Sequence, residues 1–159
     1  MEQLQYTMKT TLGPLYVVAS DRGVRGVFFD RQPAALVKDL RSSQPVVRVL
    51  RKTVGQIEEY LAGQRKQFDV VLDCEGTSFQ KQVWNELSKI PFGATLSYKD
   101  IARRIKNPKA VRAVGSANGK NPVCIIVPCH RVIASNGTIG GYSGGVNIKR
   151  ALLDLEQGK

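Results

Sequence analysis

The sequence predicts a mixed α/β protein, of the α+β kind, with a small antiparallel sheet in its N-terminal part and a mainly helical C-terminal part. Short alternating or apolar runs separated by Gly and Pro turns occupy residues 3–29 and are typical of strands. Apolar residues recur at helical spacing within residues 46–61 and 79–118. The charge also changes, from eleven Lys/Arg against nine Asp/Glu in residues 1–75 to thirteen against four in residues 76–159. These observations indicate two parts with different roles.

The N-terminal elements predict a scaffold without a chemical motif. An antiparallel meander is predicted from three strands: Gln3–Thr10, Leu15–Ser20 and Val24–Phe29. A helix over Val46–Leu61 follows, and Gly63 lies just past its end, as a cap would. A further short strand is predicted at Phe68–Leu72.

The chain is long enough for two small domains, and we place the boundary so that residues 1–76 form the scaffold and residues 77–159 the functional domain. Thr77 or Ser78 is the predicted N-cap of the first helix there. That helix has an apolar stripe of Phe79, Val83, Trp84, Leu87 and Ile90. The only tryptophan is therefore assigned to the core.

Two short helices joined by a tight turn predict a helix-turn-helix. The first covers Tyr98–Ile105 and the second Ala110–Asn118, with Asn107 as the cap and Pro108 at the first position of the second helix. The second helix is rich in small residues, which allow close approach to another surface, and the alternative is tight packing in the core. A last helix is predicted over Asn147–Leu155.

The second half of the chain predicts a polyanionic partner. From residue 99 to residue 120 only Asp100 opposes seven cations: Lys99, Arg103, Arg104, Lys106, Lys109, Arg112 and Lys120. The alternative is a solvated basic surface, which we favour only for the N-terminal half. Around paired helices, such cations indicate nucleic-acid binding.

Several classes of protein are excluded by composition. No apolar run approaches the length of a membrane span, and the N-terminus lacks the pattern of a signal peptide. The three cysteines are irregularly spaced, which argues against a disulfide framework and for a reducing compartment, the cytoplasm. One histidine and no Cys-x-x-Cys pair predict that no metal is bound, and no cofactor is expected.

The strongest chemical signal is Cys129 followed directly by His130, the only histidine. A thiol is a good nucleophile as its thiolate, and a neighbouring imidazole is a common means of forming one. The other two cysteines, Cys74 and Cys124, are expected to be inert buried thiols. Glycine pairs at 140–141 and 144–145 lack the Lys-Ser/Thr of a phosphate loop and predict a hairpin that forms a pocket.

The C-terminal motifs resemble those of the O6-alkylguanine-DNA alkyltransferases, the methylated-DNA–protein-cysteine methyltransferases. The resemblance covers five segments: residues 76–84, 90–98, 112–119, 121–133 and 141–145, with Pro-Cys-His-Arg-Val at 128–132. It implies a ribonuclease-H-like first domain and a helix-turn-helix second domain. It also implies DNA repair by irreversible transfer of the alkyl group from guanine O6 to the protein's own cysteine, once per molecule. O4-alkylthymine is left open as a second substrate.

The resemblance also implies catalytic roles. Cys129 is the alkyl acceptor, and His130 acts on it as a base through a water. Glu156 orients and charges the imidazole, although its sequence context alone indicates only a solvated helix-end carboxylate. Asn121 holds the turn before the cysteine segment, and the Tyr98 hydroxyl helps to protonate the departing guanine.

The DNA contacts implied by the resemblance lie on the second helix and beside it. Arg112 fills the place of the flipped base, and the helix enters the minor groove. The other contact residues are Ala113, Gly115, Ser116, Tyr98, Lys99 and Lys120. The guanine pocket is assigned to Val132, Tyr142, Ser143 and Gly144. This chain departs from the family in having Lys99 where glycine is common, and Asn118 and Gly119 where some members carry bulkier residues.

The expected partner is double-stranded DNA that contains O6-alkylguanine. The protein is expected to bind it as a monomer and not to associate with a membrane. Three alternatives stay open. A thiol hydrolase would turn over and require an oxyanion hole. A catalytically silent alkyltransferase-like protein replaces the cysteine that Cys129 provides here. A helix-turn-helix regulator would require a further regulatory module.

Overall fold

The computed structural model describes residues 2–159 and divides the chain into two compact units. The first ends at Glu75 and the second begins at Gly76, one residue before the boundary placed from the sequence. The first unit is a sheet with one helix, and the second is mainly helical. The predicted mixed α/β class is confirmed.

The sheet of the first unit contains the predicted meander and one strand more. Its strands are β1 (Leu4–Thr10), β2 (Gly13–Ser20), β3 (Gly23–Phe28) and β4 (Ala35–Leu36). The order is β3-β2-β1-β4, and β4 pairs with β1 in parallel. The two exposed residues of β4 show no alternation, which is why the sequence did not predict it.

The strand predicted at Phe68–Leu72 is wrong. The segment makes only a single parallel bridge, between Val24 and Leu72. Val24 donates its N–H to Val71 O at 2.8 Å and accepts from Asp73 N–H at 2.8 Å. The Val71 side chain is 69% exposed, so an apolar run here does not mark a buried strand.

Helix α1 (Pro45–Leu61) packs on the sheet through the apolar face predicted for it. Pro45 is at the first helical position, where its missing N–H costs no hydrogen bond. Gly63 lies two residues past the end with φ +77°, and its N–H bonds to Tyr60 O at 3.0 Å. A left-handed glycine at this place closes the helix as predicted.

The second unit begins with α2 (Ser78–Leu87), capped as the sequence predicts. Thr77 and Gln80 form a reciprocal capping box. The helix ends before Ile90, which is buried in the following turn. The indole N–H of Trp84 donates to Ala117 O at 2.8 Å, which confirms that this residue belongs to the core.

Two short helices follow, α3 (Tyr98–Arg104) and α4 (Val111–Gly119), and they pack together. The cap assigned to Asn107 is wrong, because α4 begins after Ala110 and no side chain caps it. The Asn107 N–H instead bonds to Ala102 O at 2.9 Å and closes the end of α3. Pro108 therefore lies in the turn and not in the helix.

A two-stranded parallel sheet positions the reactive segment. It pairs β5 (Leu96–Ser97) with β6 (Val132–Ile133). A 3₁₀ turn over Cys129–Arg131 leads directly into β6, and Tyr98 follows β5 directly. The pairing therefore fixes the start of α3 relative to the cysteine segment. The last helix is α5 (Val146–Gln157).

None of the helices within residues 2–159 combines the length and the apolar character needed to cross a membrane.

Candidate active site

The reactive cysteine follows two tight turns held by one asparagine. Ile125 has φ +76°, and Ile126 N–H bonds to Cys124 O at 2.9 Å, which is a γ-turn of the less common, strained form. The next turn centres on Pro128, with Cys129 N–H bonded to Val127 O at 2.8 Å.

The Asn121 side chain spans this segment. Its Nδ2 donates to Val127 O at 2.8 Å, and its Oδ1 accepts from Val123 N–H at 3.0 Å. A side chain that bonds to both ends of a strained turn stabilises its geometry. These bonds agree with the turn-holding role expected of Asn121.

Cys129 is 2% exposed and lies in the wall of a cavity of about 350 Å³. The cavity is lined by Tyr98, Gly115, Asn118, Gly119, Cys129, Gly141, Tyr142 and Ser143. Three of these residues belong to α4. The thiol therefore faces a space bounded by the helix predicted to meet DNA.

Cys124 lies near enough to Cys129 for each thiol to shift the pKa of the other. The contact with Cys129 lowers the pKa of the Cys124 thiol to about 7, against the effect of burial. The contact with Cys124, together with burial, raises the pKa of the Cys129 thiol, although Asn121 and Lys149 act in the opposite direction. The pair loses a first proton easily and a second with difficulty, as coupled groups do. Burial of Cys124 was expected; its place beside Cys129 was not.

His130 and Glu156 meet as the family resemblance implies. The ring Nε2 lies 2.7 Å from Glu156 Oε2, and both side chains are buried. Burial lowers the pKa of His130 more than the carboxylate raises it, so the resting imidazole is neutral. A carboxylate only accepts, so Nε2 carries the ring proton and Nδ1 is the basic atom. Glu156 therefore orients the ring but does not charge it in the resting state.

Arg131 is a functional residue that the sequence reasoning missed. Its Nε donates to Glu156 Oε1 at 2.8 Å and its Nη2 to Oε2 at 2.9 Å, a bidentate ion pair. Its Nη1 donates to Ile90 O at 2.7 Å. The Gly93 N–H also donates to Glu156, at 3.2 Å. The carboxylate is thus saturated with donors, which explains how a charged group is accommodated here.

Lys149 was also missed. Its side chain is fully buried, and its Nζ donates to Val132 O at 2.6 Å and to Gly141 O at 3.0 Å. Burial lowers the pKa of Lys149 to about 8. The ammonium group favours the thiolate of Cys129 electrostatically. A lysine in a helix that looks solvated gives no signal of this role in the sequence.

Tyr98 lies in the cavity wall, where burial and the charge of Cys129 raise its pKa. The hydroxyl therefore stays protonated and can donate a hydrogen bond. A Cβ at Gly140, where φ is +73°, would meet the Tyr98 Oη at 3.0 Å, so only glycine fits this close approach.

The predicted pocket residues are only partly brought together. Tyr142 and Ser143 line the cavity, whereas its lining among the described residues does not include Val132 or Gly144. Val132 contributes its carbonyl, bonded to Lys149. The predicted hairpin here is wrong, because the segment between β6 and α5 is a loop of turns without paired strands.

The predicted DNA-contact residues are mostly exposed. Arg112, Ala113 and Ser116 of α4 are exposed, as are Lys99 and Lys120 beside it. Gly115 is half-buried because it lies in the cavity wall. Within the described part of the chain, no group of three His, Cys, Asp or Glu side chains is placed to hold a metal ion.

Comparison with known proteins finds two family models that together match nearly the whole chain. Residues 4–74 match the ribonuclease-like domain of 6-O-methylguanine DNA methyltransferase, and residues 78–158 match its DNA binding domain. A methylated-DNA–protein-cysteine methyltransferase of Methanosarcina mazei is 43% identical over 154 residues, covering 96% of both chains.

Solved structures show the same likeness. The crystal structure of Mycobacterium tuberculosis OGT in complex with DNA has a TM-score of 0.86 and 40% identity, covering 98% of this chain and 93% of that one. An O6-methylguanine-DNA methyltransferase of Pyrococcus kodakaraensis has a TM-score of 0.57 at 22% identity, over 97% of this chain and 98% of that one, and shares the fold.

Proposed function

This chain belongs to the 6-O-methylguanine DNA methyltransferase family, and we propose that it repairs DNA by moving the alkyl group from guanine O6 to Cys129. The observation that carries the assignment to Cys129 is its place in the wall of the cavity beside α4. A flipped base in this cavity would meet the sulfur of Cys129. Neither of the other two cysteines lines it.

The reaction is an in-line displacement at a saturated carbon. The Cys129 sulfur forms the S–C bond while the C–O bond to guanine breaks, and the electron pair of that bond leaves with the base. The resting thiol must first lose its proton, since its pKa is raised. We propose Nδ1 of neutral His130 as the base, since Nε2 is bonded to Glu156, and a bridging water would carry the proton to Nδ1.

Two further groups act on the charges that develop. The Lys149 ammonium stabilises the Cys129 thiolate. The protonated Tyr98 hydroxyl donates to the departing guanine and neutralises its negative charge. The product is a thioether, which water does not cleave under mild conditions, so each molecule reacts once.

DNA would dock on the exposed face of α4. Its small residues allow entry into the narrow minor groove, and Arg112 would occupy the stack that the flipped base leaves. The surrounding cations would contact phosphates and make binding sequence-independent and salt-dependent. We propose that the protein acts as a monomer in a reducing cytoplasm, where all three cysteines stay free, as they are in the structure.

The test is to incubate the protein with a duplex that carries O6-methylguanine and then to measure the mass of the protein by mass spectrometry. The expected result is a stoichiometric gain of one methyl group in place of one hydrogen, located on the peptide of residues 121–131. Cys129→Ala removes the gain, whereas Cys74→Ser, the matched control, keeps it. Turnover beyond one methyl per molecule would indicate a hydrolase, and methyl transfer to another residue would refute the assignment.

A further inference from the structure

A second thiol lies directly beside the alkyl acceptor. Cys124 and Cys129 lie in one turned segment that the Asn121 side chain holds through Val123 and Val127, and each thiol shifts the pKa of the other. The Cys124 thiol donates to Asn121 O at 3.8 Å, and the Asn121 side chain donates to Val127 O at 2.8 Å, two residues before Cys129. Two thiols held in one turned segment beside the same cavity are candidates for a disulfide.

The folded backbone is what makes the two thiols neighbours. Five residues of extended chain would separate them by about 17 Å. Here the γ-turn at Ile125 reverses the chain, and Val127 N–H bonds back to Val123 O at 2.9 Å. Positive φ is strained at a β-branched residue such as Ile125. The surrounding structure therefore maintains this arrangement against strain.

The two thiols are equally buried but differ in position. Cys129 lines the cavity, whereas Cys124 does not. Ser143, whose Oγ lies 3.4 Å from the Cys124 sulfur, is also in the cavity wall. A small oxidant that enters the cavity reaches the Cys129 sulfur first, and Cys124 supplies the second sulfur of the disulfide.

We infer that Cys124 and Cys129 are a site of reversible oxidation, in which peroxide converts the two thiols into a disulfide. The Cys129 sulfur attacks the peroxide, an S–O bond forms, the O–O bond breaks and water leaves. The Cys124 sulfur then attacks the sulfenic acid at Cys129, the S–O bond breaks, and a second water leaves with the remaining protons. Two electrons from the sulfur pair reduce one peroxide to two waters.

While it is in the disulfide, the Cys129 sulfur cannot accept an alkyl group and is protected from irreversible oxidation to sulfinic acid. A dithiol reductant restores it. The effect on repair rests on the proposed function, whereas formation of the disulfide does not.

The experiment treats the full-length protein with hydrogen peroxide and then digests it with trypsin without reduction. Cleavage after Lys120 and Arg131 leaves both cysteines in one peptide, residues 121–131, apart from Cys74. We expect this peptide to lose two hydrogens and to regain them with dithiothreitol. A peptide that gains oxygen atoms without that loss, or a crosslink to Cys74, overturns the inference.

Variants separate the two sulfurs. Cys124→Ser has no second sulfur, so peroxide should add oxygens to Cys129 irreversibly, and dithiothreitol should not restore methyl transfer. Cys74→Ser should behave as the unmodified protein. If dithiothreitol restores methyl transfer equally in Cys124→Ser and in wild type, the role of Cys124 is refuted. If the variant does not fold, the mass of the wild-type peptide still tests whether the disulfide forms. Absence of methyl gain in the untreated protein would instead count against the proposed function alone.

Discussion

Replacing Arg131 with Met should destabilise the protein strongly, because it leaves the buried carboxylate of Glu156 without its guanidinium partner. The change removes three charge-assisted hydrogen bonds, two to Glu156 and one to Ile90 O. Breaking a buried ion pair on one side typically costs about 3–5 kcal/mol. Glu156 retains the donors of His130 and Gly93, which favours the lower end, about 3 kcal/mol.

Urea unfolding followed by circular dichroism measures this loss, with Arg150→Met in the same protein as the matched control. Arg150 is exposed on α5, so its replacement should change the free energy of unfolding by less than about 0.5 kcal/mol. The double variant Arg131→Met/Glu156→Gln should recover part of the loss, since it also removes the buried negative charge. A loss below about 1 kcal/mol for Arg131→Met would refute the view that Glu156 depends on this ion pair.

A second readout is the pKa of the only histidine, which NMR can follow without assignment. The Arg131 charge helps to lower the pKa of His130, so Arg131→Met should raise it.

In the wild type the pKa of His130 is lowered by folding, so the unfolded state binds more protons as the pH falls. Its contribution to stability is therefore complete above pH ~6.5, the pKa of an unfolded histidine, and is lost as the pH falls through the folded pKa.

Three further predictions concern the site and its surroundings. Lys149→Met should raise the pKa of the Cys129 thiol, because the ammonium favours the thiolate. The pH dependence of iodoacetamide labelling of the peptide of residues 121–131 measures it in a Cys124→Ser background, where Cys129 is the only thiol of that peptide, and an unchanged profile would contradict the role of Lys149. Trp84→Phe should cost about 1–3 kcal/mol in urea unfolding, since Ala117 O loses its donor while the aromatic packing largely remains. Lys99→Ala should weaken binding to undamaged and damaged duplexes equally and reduce the salt slope by about one, measured by fluorescence anisotropy; a loss confined to damaged DNA would show a contact to the base instead.

The predictions that succeeded rest on local chemistry. The capping box at Thr77, the left-handed Gly63 and the apolar stripes of α1 and α2 depend on residues within one or two turns of each other. The failed strand at Phe68–Leu72 and the missed β4 have another cause. Pairing there depends on distant partners, namely one residue of β3 and the edge of β1, which no local pattern encodes.

The candidate site follows the same division. Cys129 and His130 could be singled out by residue type, and family resemblance supplied Glu156 from 26 residues away. Arg131 and Lys149 escaped because both are ordinary basic residues in a basic domain, and only burial distinguishes them from the solvated cations around them. Both residues matter because they lie in the low-dielectric interior. There an unpaired charge costs much free energy of folding, and a paired charge is held in a fixed geometry by its partner.

The adjacency of Cys129 and His130 along the chain is the least informative part of their chemistry. The histidine is turned towards Glu156, and the side chains that act most on the pKa of the cysteine thiol are Cys124, which raises it, and Asn121, which lowers it. A protein that reacts once gains from a thiol that is mostly protonated at rest, because a permanent thiolate would react faster with any electrophile that entered the cavity. Burial and the neighbouring Cys124 keep Cys129 in that form, and His130, Lys149 and Tyr98 supply the base, the charge and the proton that the reaction needs once a base occupies the cavity.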